Sequence, residues 1–136
     1  MPYRHEYDSY EPGMCNIGPS EIRVRRLFFR ITLAITLAMT TAAVFWSHSI
    51  ILFFLLLFTS FSLIVLYFEI RYRFCILFGY FNLHNFRQLG HLEQVCDEQH
   101  ARIDRKRVWQ IVFKSLAAAM LYSSVIHFIA ERSHGH

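Results

Sequence analysis

IILFFLLLFTSFSLIVLYF, residues 50–68, is a stretch of nineteen residues without a charge, a proline or a glycine. At about 1.5 Å of rise per residue, a helix of this length crosses the roughly 30 Å hydrocarbon core of a bilayer. Fifteen of the nineteen residues are Leu, Ile, Val or Phe, and at about −0.3 to −0.6 kcal/mol each they favour insertion by about 5–9 kcal/mol. The stretch therefore predicts a membrane-spanning helix.

Two further apolar segments, 27–46 and 108–130, are also long enough to span a bilayer. Only a short polar connection separates the first from 50–68, so these two helices are expected to be antiparallel neighbours. The predicted fold class is all-α, an integral membrane protein with three transmembrane helices. We expect a polar cytoplasmic N-terminal tail over 1–22, a single membrane domain over 23–130 and a short C-terminal tail over 131–136.

The interval 69–107 is predicted to be a cytoplasmic, juxtamembrane helical segment between the second and third spans. Its first part, 74–86, is apolar but too short to cross a bilayer, which favours an interfacial or re-entrant segment. A frayed extension of the second helix is the alternative. The polar stretch 88–107 has apolar residues near one helical face, which predicts a helix continuous with the third span.

Positive charges lie at the predicted membrane edges, and they set the expected orientation. Residues up to position 30 hold five Lys or Arg and 69–107 hold seven, whereas the first loop has none and the C-terminal tail has one. Cytoplasmic segments carry such an excess, so we expect the N-terminus in the cytoplasm and the C-terminus in the periplasm or outside the cell. The interfacial cations are Arg23, Arg25, Arg26, Arg30, Arg71, Arg73, Arg105, Lys106 and Arg107.

The net charge of +4 is explained by these membrane-edge residues, so the expected partner is the lipid bilayer and not nucleic acid. The 54% apolar content excludes a globally disordered chain. No catalytic triad, phosphate loop or pair of carboxylates is visible, which favours a role that is not enzymatic. We expect the helices to pack with other membrane subunits or as a homo-oligomer.

Cys15 and Cys75 are the candidate thiols. Both lie near arginines at the predicted cytoplasmic membrane surface, and neighbouring cations lower the pKa of a thiol. Such a pair suits a redox couple, a persulfide carrier or part of a metal site. The alternative is two inert free cysteines in a reducing compartment. A second, weaker pattern is a metal site formed by Cys96, His100 and His91, since Cys96 and His100 are four residues apart on a predicted helix.

Two polar residues fall within the third predicted span. Lys114 lies about 9 Å in from the start of that span, from which its side chain can extend back to the basic side. A substrate or proton site at Lys114 or His127 would indicate a small transporter. Small residues spaced four apart, such as Ala34 and Ala38 in the first span and Ser115 and Ala119 in the third, are typical of close helix packing.

Two sequence blocks resemble the signature of a family of small bacterial inner-membrane proteins of uncharacterised function. The first is CNIGPSEI, residues 15–22, which in that family precedes a basic run and a hydrophobic hairpin. The second block comprises Arg73, Phe74, Cys75, Phe78, Gly79, Asn85 and Phe86. The basic stretch 101–107 before the last helix is also similar, so the resemblance covers 15 to about 130.

A more distant similarity is to the small transmembrane domain attached to some membrane rhodaneses, which usually has Cys-Pro after its hairpin. This chain departs from that pattern at Ile76. Both resemblances imply a membrane location and mark the positions of Cys15 and Cys75, and neither implies a known reaction. The sequence therefore predicts a structural or accessory membrane protein, with a thiol- or metal-bearing redox or sulfur-handling protein as the alternative.

Overall fold

Three long helices dominate the computed structural model, which describes residues 10–46 and 49–135. The elements in chain order are α1 (Pro19–Phe45), α2 (Ile50–Tyr72), α3 (Ile76–Tyr80), β1 (Leu83–His84), β2 (Glu93–Gln94) and α4 (Glu98–His134). Three of the helices, α1, α2 and α4, are long and apolar enough to cross a membrane. The predicted all-α class with three spans is confirmed.

Local sequence signals fix where these helices begin. Gly18 is the N-cap of α1 with proline at the first helical position. The Ser20 hydroxyl, in the first turn, donates to the Arg87 carbonyl at 2.7 Å. The Ser49 hydroxyl accepts from an N–H of the first turn of α2 at 3.2 Å. Asp97 caps α4.

The interval between α2 and α4 is less helical than the sequence predicted. Arg73 adopts a left-handed conformation with φ 53°, which ends α2, so 74–86 is not its extension. This stretch contains the short helix α3 and the strand β1. The predicted helix over 88–107 begins only at Glu98, because Gly90 has a φ of 81° and 93–94 pair with β1 as an antiparallel strand.

Small side chains line the contact between the three long helices. Ser115 and Ser123 of α4 are fully buried, and the Ser123 hydroxyl lies 3.4 Å from that of Ser60 on α2. On the opposite side, the hydroxyls of Thr40 on α1 and Tyr122 on α4 are 2.7 Å apart. Short side chains allow helix backbones to approach closely, so the small-residue face expected on the third span does pack against its neighbours.

The beginnings of α1 and α4 and the end of α2 lie at the same end of the bundle, which we call the arginine-rich end. The non-helical residues also gather there, because 13–18 hydrogen bond both to the chain after α2 and to α4. Residues far apart in sequence are thereby brought together into one polar assembly.

Candidate functional site

The segment 15–18 is held between two other stretches of the chain at the arginine-rich end. The main-chain N–H groups of Asn16 and Ile17 donate to the Arg73 carbonyl at 3.1 and 3.3 Å. On the other side, Gly18 N–H donates to the Asn85 carbonyl at 2.7 Å, and Asn85 N–H donates to the Asn16 carbonyl at 3.0 Å. Both sequence blocks noted above therefore meet in one hydrogen-bonded core.

The side chain of Asn16 fixes this arrangement by bonding both main-chain polar groups of Cys75. Its Oδ1 accepts from the Cys75 N–H at 2.7 Å, and its Nδ2 donates to the Cys75 carbonyl at 3.1 Å. Asn16 is fully buried, where an unmade hydrogen bond is costly. An amide suits the position because it supplies one acceptor and donors together, which a carboxylate does not.

Gly18 lies in close contact with the backbone of the second block. A Cβ at this position would come within 2.9 Å of the Phe86 Cα, a distance that requires the main chain to move. The glycine is thus needed for the close approach of two backbones.

Two buried carboxylates share a single arginine next to this core. Arg25 Nη1 lies 2.7 Å from Glu21 Oε2, and Arg25 Nε lies 3.2 Å from Glu69 Oε2. The remaining carboxylate oxygens are also bonded, Glu21 Oε1 by the Asn85 side-chain amide at 2.9 Å and Glu69 Oε1 by the Ile76 N–H at 3.1 Å. A buried ion pair is tolerated when its other hydrogen bonds are made in this way.

Cys75 and Cys15 are both buried free thiols. Burial, together with the Glu69 carboxylate, raises the pKa of the Cys75 thiol, and this outweighs the opposing effect of the Arg25 guanidinium. Burial likewise raises the pKa of Cys15, and this outweighs the opposing effect of Arg73. The sequence predicted lowered pKa values from neighbouring arginines, and this was wrong because desolvation of the thiolate is the larger effect.

Alkylation rates of the native protein should distinguish the two buried cysteines from the exposed one. Since thiolate is the reacting form and a raised pKa reduces its fraction at neutral pH, we expect Cys15 and Cys75 to react with iodoacetamide at least about tenfold more slowly than the exposed Cys96. Mass spectrometry of timed samples in detergent measures the rates. In denaturant the three rates should converge, and fast native labelling of Cys75 would contradict the buried environment described above.

A second contact ties residues 10–13 to α4. The carboxylate of Asp104, which is fully buried, accepts from the Tyr10 hydroxyl at 2.6 Å and from the Gly13 N–H at 2.7 Å. The Tyr10 ring stacks on His84, with centroids 5.0 Å apart. Burial and the Asp104 carboxylate both raise the pKa of Tyr10, so the tyrosine remains a hydrogen-bond donor at neutral pH.

The weakly predicted metal ligands are not gathered into one site. Cys96 donates to the Gln94 carbonyl, His91 lies 3.7 Å from Glu93, and His100 lies 3.8 Å from Asp97. Within 10–46 and 49–135, no group of three or more His, Cys, Asp or Glu side chains is arranged to hold a metal ion.

The polar residues of the third span lie on different sides of the bundle. Lys114 is exposed on the outer surface of α4, where its side chain can extend along the helix to the basic side. His127 is half-buried, with its ring against Phe53 at 5.5 Å and its Nε2 3.7 Å from Glu131. Neither side chain belongs to the polar assembly at the arginine-rich end.

The predicted interfacial cations divide into three groups. Arg25 alone forms the first group, because it pairs with the two buried carboxylates described above. Arg30, Arg105 and Lys106 are exposed on α1 and α4. The others border a groove at the arginine-rich end, and they are Arg23, Arg26, Arg71, Arg73 and Arg107.

Sequence reasoning did not single out Asn16, Glu21, Glu69, Asn85 or Asp104 as site residues. A usable signal was present for three of them, since Asn16, Glu21 and Asn85 fall within the two quoted blocks. Glu69 and Asp104 are acids within basic stretches, a position that suggests pairing. Their partners are distant in sequence, so spacing alone does not identify them.

Comparison with models of known protein families finds no match to this chain. Comparisons with curated proteins and with solved structures find no match either.

Proposed function

We propose that this chain is a structural or accessory protein of the bacterial inner membrane, without enzymatic activity, that packs against other membrane subunits or against itself. The observation that carries the proposal is that the buried polar side chains around Asn16 and Arg25 hydrogen bond to other groups of the same chain. The carboxylates of Glu21 and Glu69 and the side-chain amides of Asn16 and Asn85 all have such bonds. Such a network stabilises one conformation, because its described carboxylate and amide groups are already bonded within the chain.

The small fraction of each span that is buried within the chain supports the same proposal. Only 11, 17 and 22% of the most apolar windows of α1, α2 and α4 are buried within the chain. Most of each helix therefore faces lipid or another protein. We propose that the cytoplasm holds the N-terminus and the arginine-rich end, as the distribution of Lys and Arg favours.

A thiol-based redox or sulfur-handling role is the second candidate, favoured by the positive charge of Arg25, which acts to lower the pKa of the Cys75 thiol. We place it second because the raised pKa values of Cys75 and Cys15 disfavour the reactive thiolate. A transporter is less supported, since Lys114 lies on the outer face of the bundle and not along an internal path.

The accessory role predicts that association depends on the outer face of α1. Ala34 and Ala38 are exposed there and four residues apart, a spacing that permits close approach of another helix. We expect wild type in mild detergent to run as an oligomer or with a specific partner, and A34L/A38L to lose that association. Light scattering and mass spectrometry of the purified fraction measure both.

The matched control is A117L/A118L, which adds the same two side chains to an exposed part of α4. It should keep the association of wild type. A wild-type protein that is strictly monomeric and copurifies with nothing specific would refute the accessory role.

A further inference from the structure

A groove of about 880 Å³ opens at the arginine-rich end, between the start of α1, the end of α2 and α4. Five arginines border it, Arg23, Arg26, Arg71, Arg73 and Arg107. Within the part of the chain that the structure describes, Glu11 supplies the one carboxylate of this lining. The groove is therefore strongly cationic, and an anion inside it would relieve the repulsion among the guanidinium groups.

Three of these arginines have no internal counterion in the described part of the chain. Arg23, Arg26 and Arg71 take part in none of the ion pairs found there, and all three are exposed. Arg25, by contrast, lies on the same turn of α1 as Arg23 and Arg26 and is paired with Glu21 and Glu69. Among residues 10–46 and 49–135, one arginine of this cluster is thus paired with carboxylates and its two neighbours on α1 are left to the groove.

Arg107 supplies a positioned donor at the wall of the groove. Its guanidinium lies over the Tyr72 ring, 4.4 Å from the centroid, which limits the freedom of the side chain. The same guanidinium donates from Nη1 to the Gln110 side-chain oxygen at 3.5 Å, which also restricts it. A guanidinium held in this way matches the oxygens of a phosphate particularly well.

The rest of the lining is apolar, and the groove lies at the edge of the apolar spans. Met14, Pro19, Ile22 and Ile70 contribute to the wall, and Arg23 and Arg26 directly precede the apolar run that begins at position 27. A ligand with a charged head and an apolar body fits such a lining, and a membrane-edge position brings phospholipid headgroups within reach.

We infer that this groove binds the phosphate group of an anionic ligand, either a phospholipid headgroup or a soluble phosphate. The binding role goes beyond the proposed accessory role and does not depend on it. Charge-assisted hydrogen bonds from arginine fix the phosphate, and the apolar wall contacts the remainder of the molecule.

The test uses the full chain, purified in a neutral detergent and stripped of lipid. Native mass spectrometry during titration with phosphatidylglycerol or phosphatidylcholine measures lipid binding, and we expect the anionic lipid to bind at least about tenfold more tightly. Thermal unfolding in sodium phosphate, against sodium chloride of equal ionic strength, measures binding of the free ion. A response to phosphatidylglycerol alone identifies the lipid as the source, and a response to inorganic phosphate identifies the soluble ion.

Matched variants distinguish binding in the groove from a general effect of positive charge on the protein. R23Q/R107Q should weaken the binding by about tenfold or more, whereas R102Q/R105Q, which removes two exposed charges of α4 outside the groove, should stay within about twofold of wild type. If R23Q/R107Q fails to fold, R23Q alone and R107K, which keeps the charge but not the planar group, provide the same comparison. Equal binding of both lipids without a phosphate response, or an equal loss in R102Q/R105Q, would overturn the inference.

Discussion

Replacing Arg25 with methionine is expected to lower the free energy of unfolding by about 3–5 kcal/mol. The side chain is only 13% exposed and pairs with two carboxylates that are 10 and 8% exposed. Without the guanidinium, Glu21 and Glu69 would be left as neighbouring buried anions that repel each other. Chemical unfolding in mild detergent, followed by circular dichroism, measures the loss.

Two further variants test the cause of this effect. R30M removes an exposed arginine from the same helix and should change stability by no more than about 0.5 kcal/mol. The triple variant E21Q/R25M/E69Q removes the stranded charges and should recover most of the stability lost in R25M. The proposed cause is wrong if R25M and R30M have the same free energy of unfolding, or if the triple variant is no more stable than R25M.

Replacing Asn16 with alanine is expected to cost about 1–3 kcal/mol, because it leaves the buried N–H of Cys75 without a partner and leaves the Cys75 carbonyl with only the Gly79 N–H. In the native chain, the Asn16 side chain bonds this N–H at 2.7 Å and the carbonyl at 3.1 Å. Since the two groups also hold the turn after α2, we expect Cys75 to become faster to alkylate in N16A. Unfolding experiments and timed alkylation give the two measurements.

Asn82 provides the matched control for this substitution. Its side-chain Oδ1 has no hydrogen-bond partner among the described residues, and its φ of 59° is one that glycine adopts without strain. N82G should therefore stay within about 0.5 kcal/mol of wild type. Equal losses in N16A and N82G would show that the bonds to Cys75 do not matter for stability.

The three spans were predictable because their signal is local. Residues 50–68 are apolar without interruption, and an α-helix satisfies the backbone polar groups that lipid cannot. The sequence also indicated the small-residue face of the third span, which the structure shows buried at Ser115, Ala119 and Ser123. The interval between α2 and α4 was harder, since the left-handed conformations of Arg73 and Gly90 override its apparent helical periodicity.

The candidate site was predictable in part. The two quoted blocks contain Asn16, Glu21, Cys75 and Asn85, yet their hydrogen bonds join residues 59 to 64 positions apart. The sequence predicted the cations near the thiols. It did not predict the burial that raises the thiol pKa values. The resemblance to a bacterial inner-membrane family and the orientation in the membrane stay predictions.

The sequence by itself determined that this chain forms three apolar helices with its arginines at their edges, because length, hydropathy and charge act locally along the chain. Only the tertiary structure decided which charges are paired. Arg25 and Arg26 are adjacent in sequence, but one lies buried between two carboxylates while the other borders an open groove. Helix packing makes this distinction, since rotation of about 100° per residue along α1 turns one side chain toward α2 and the next away from it.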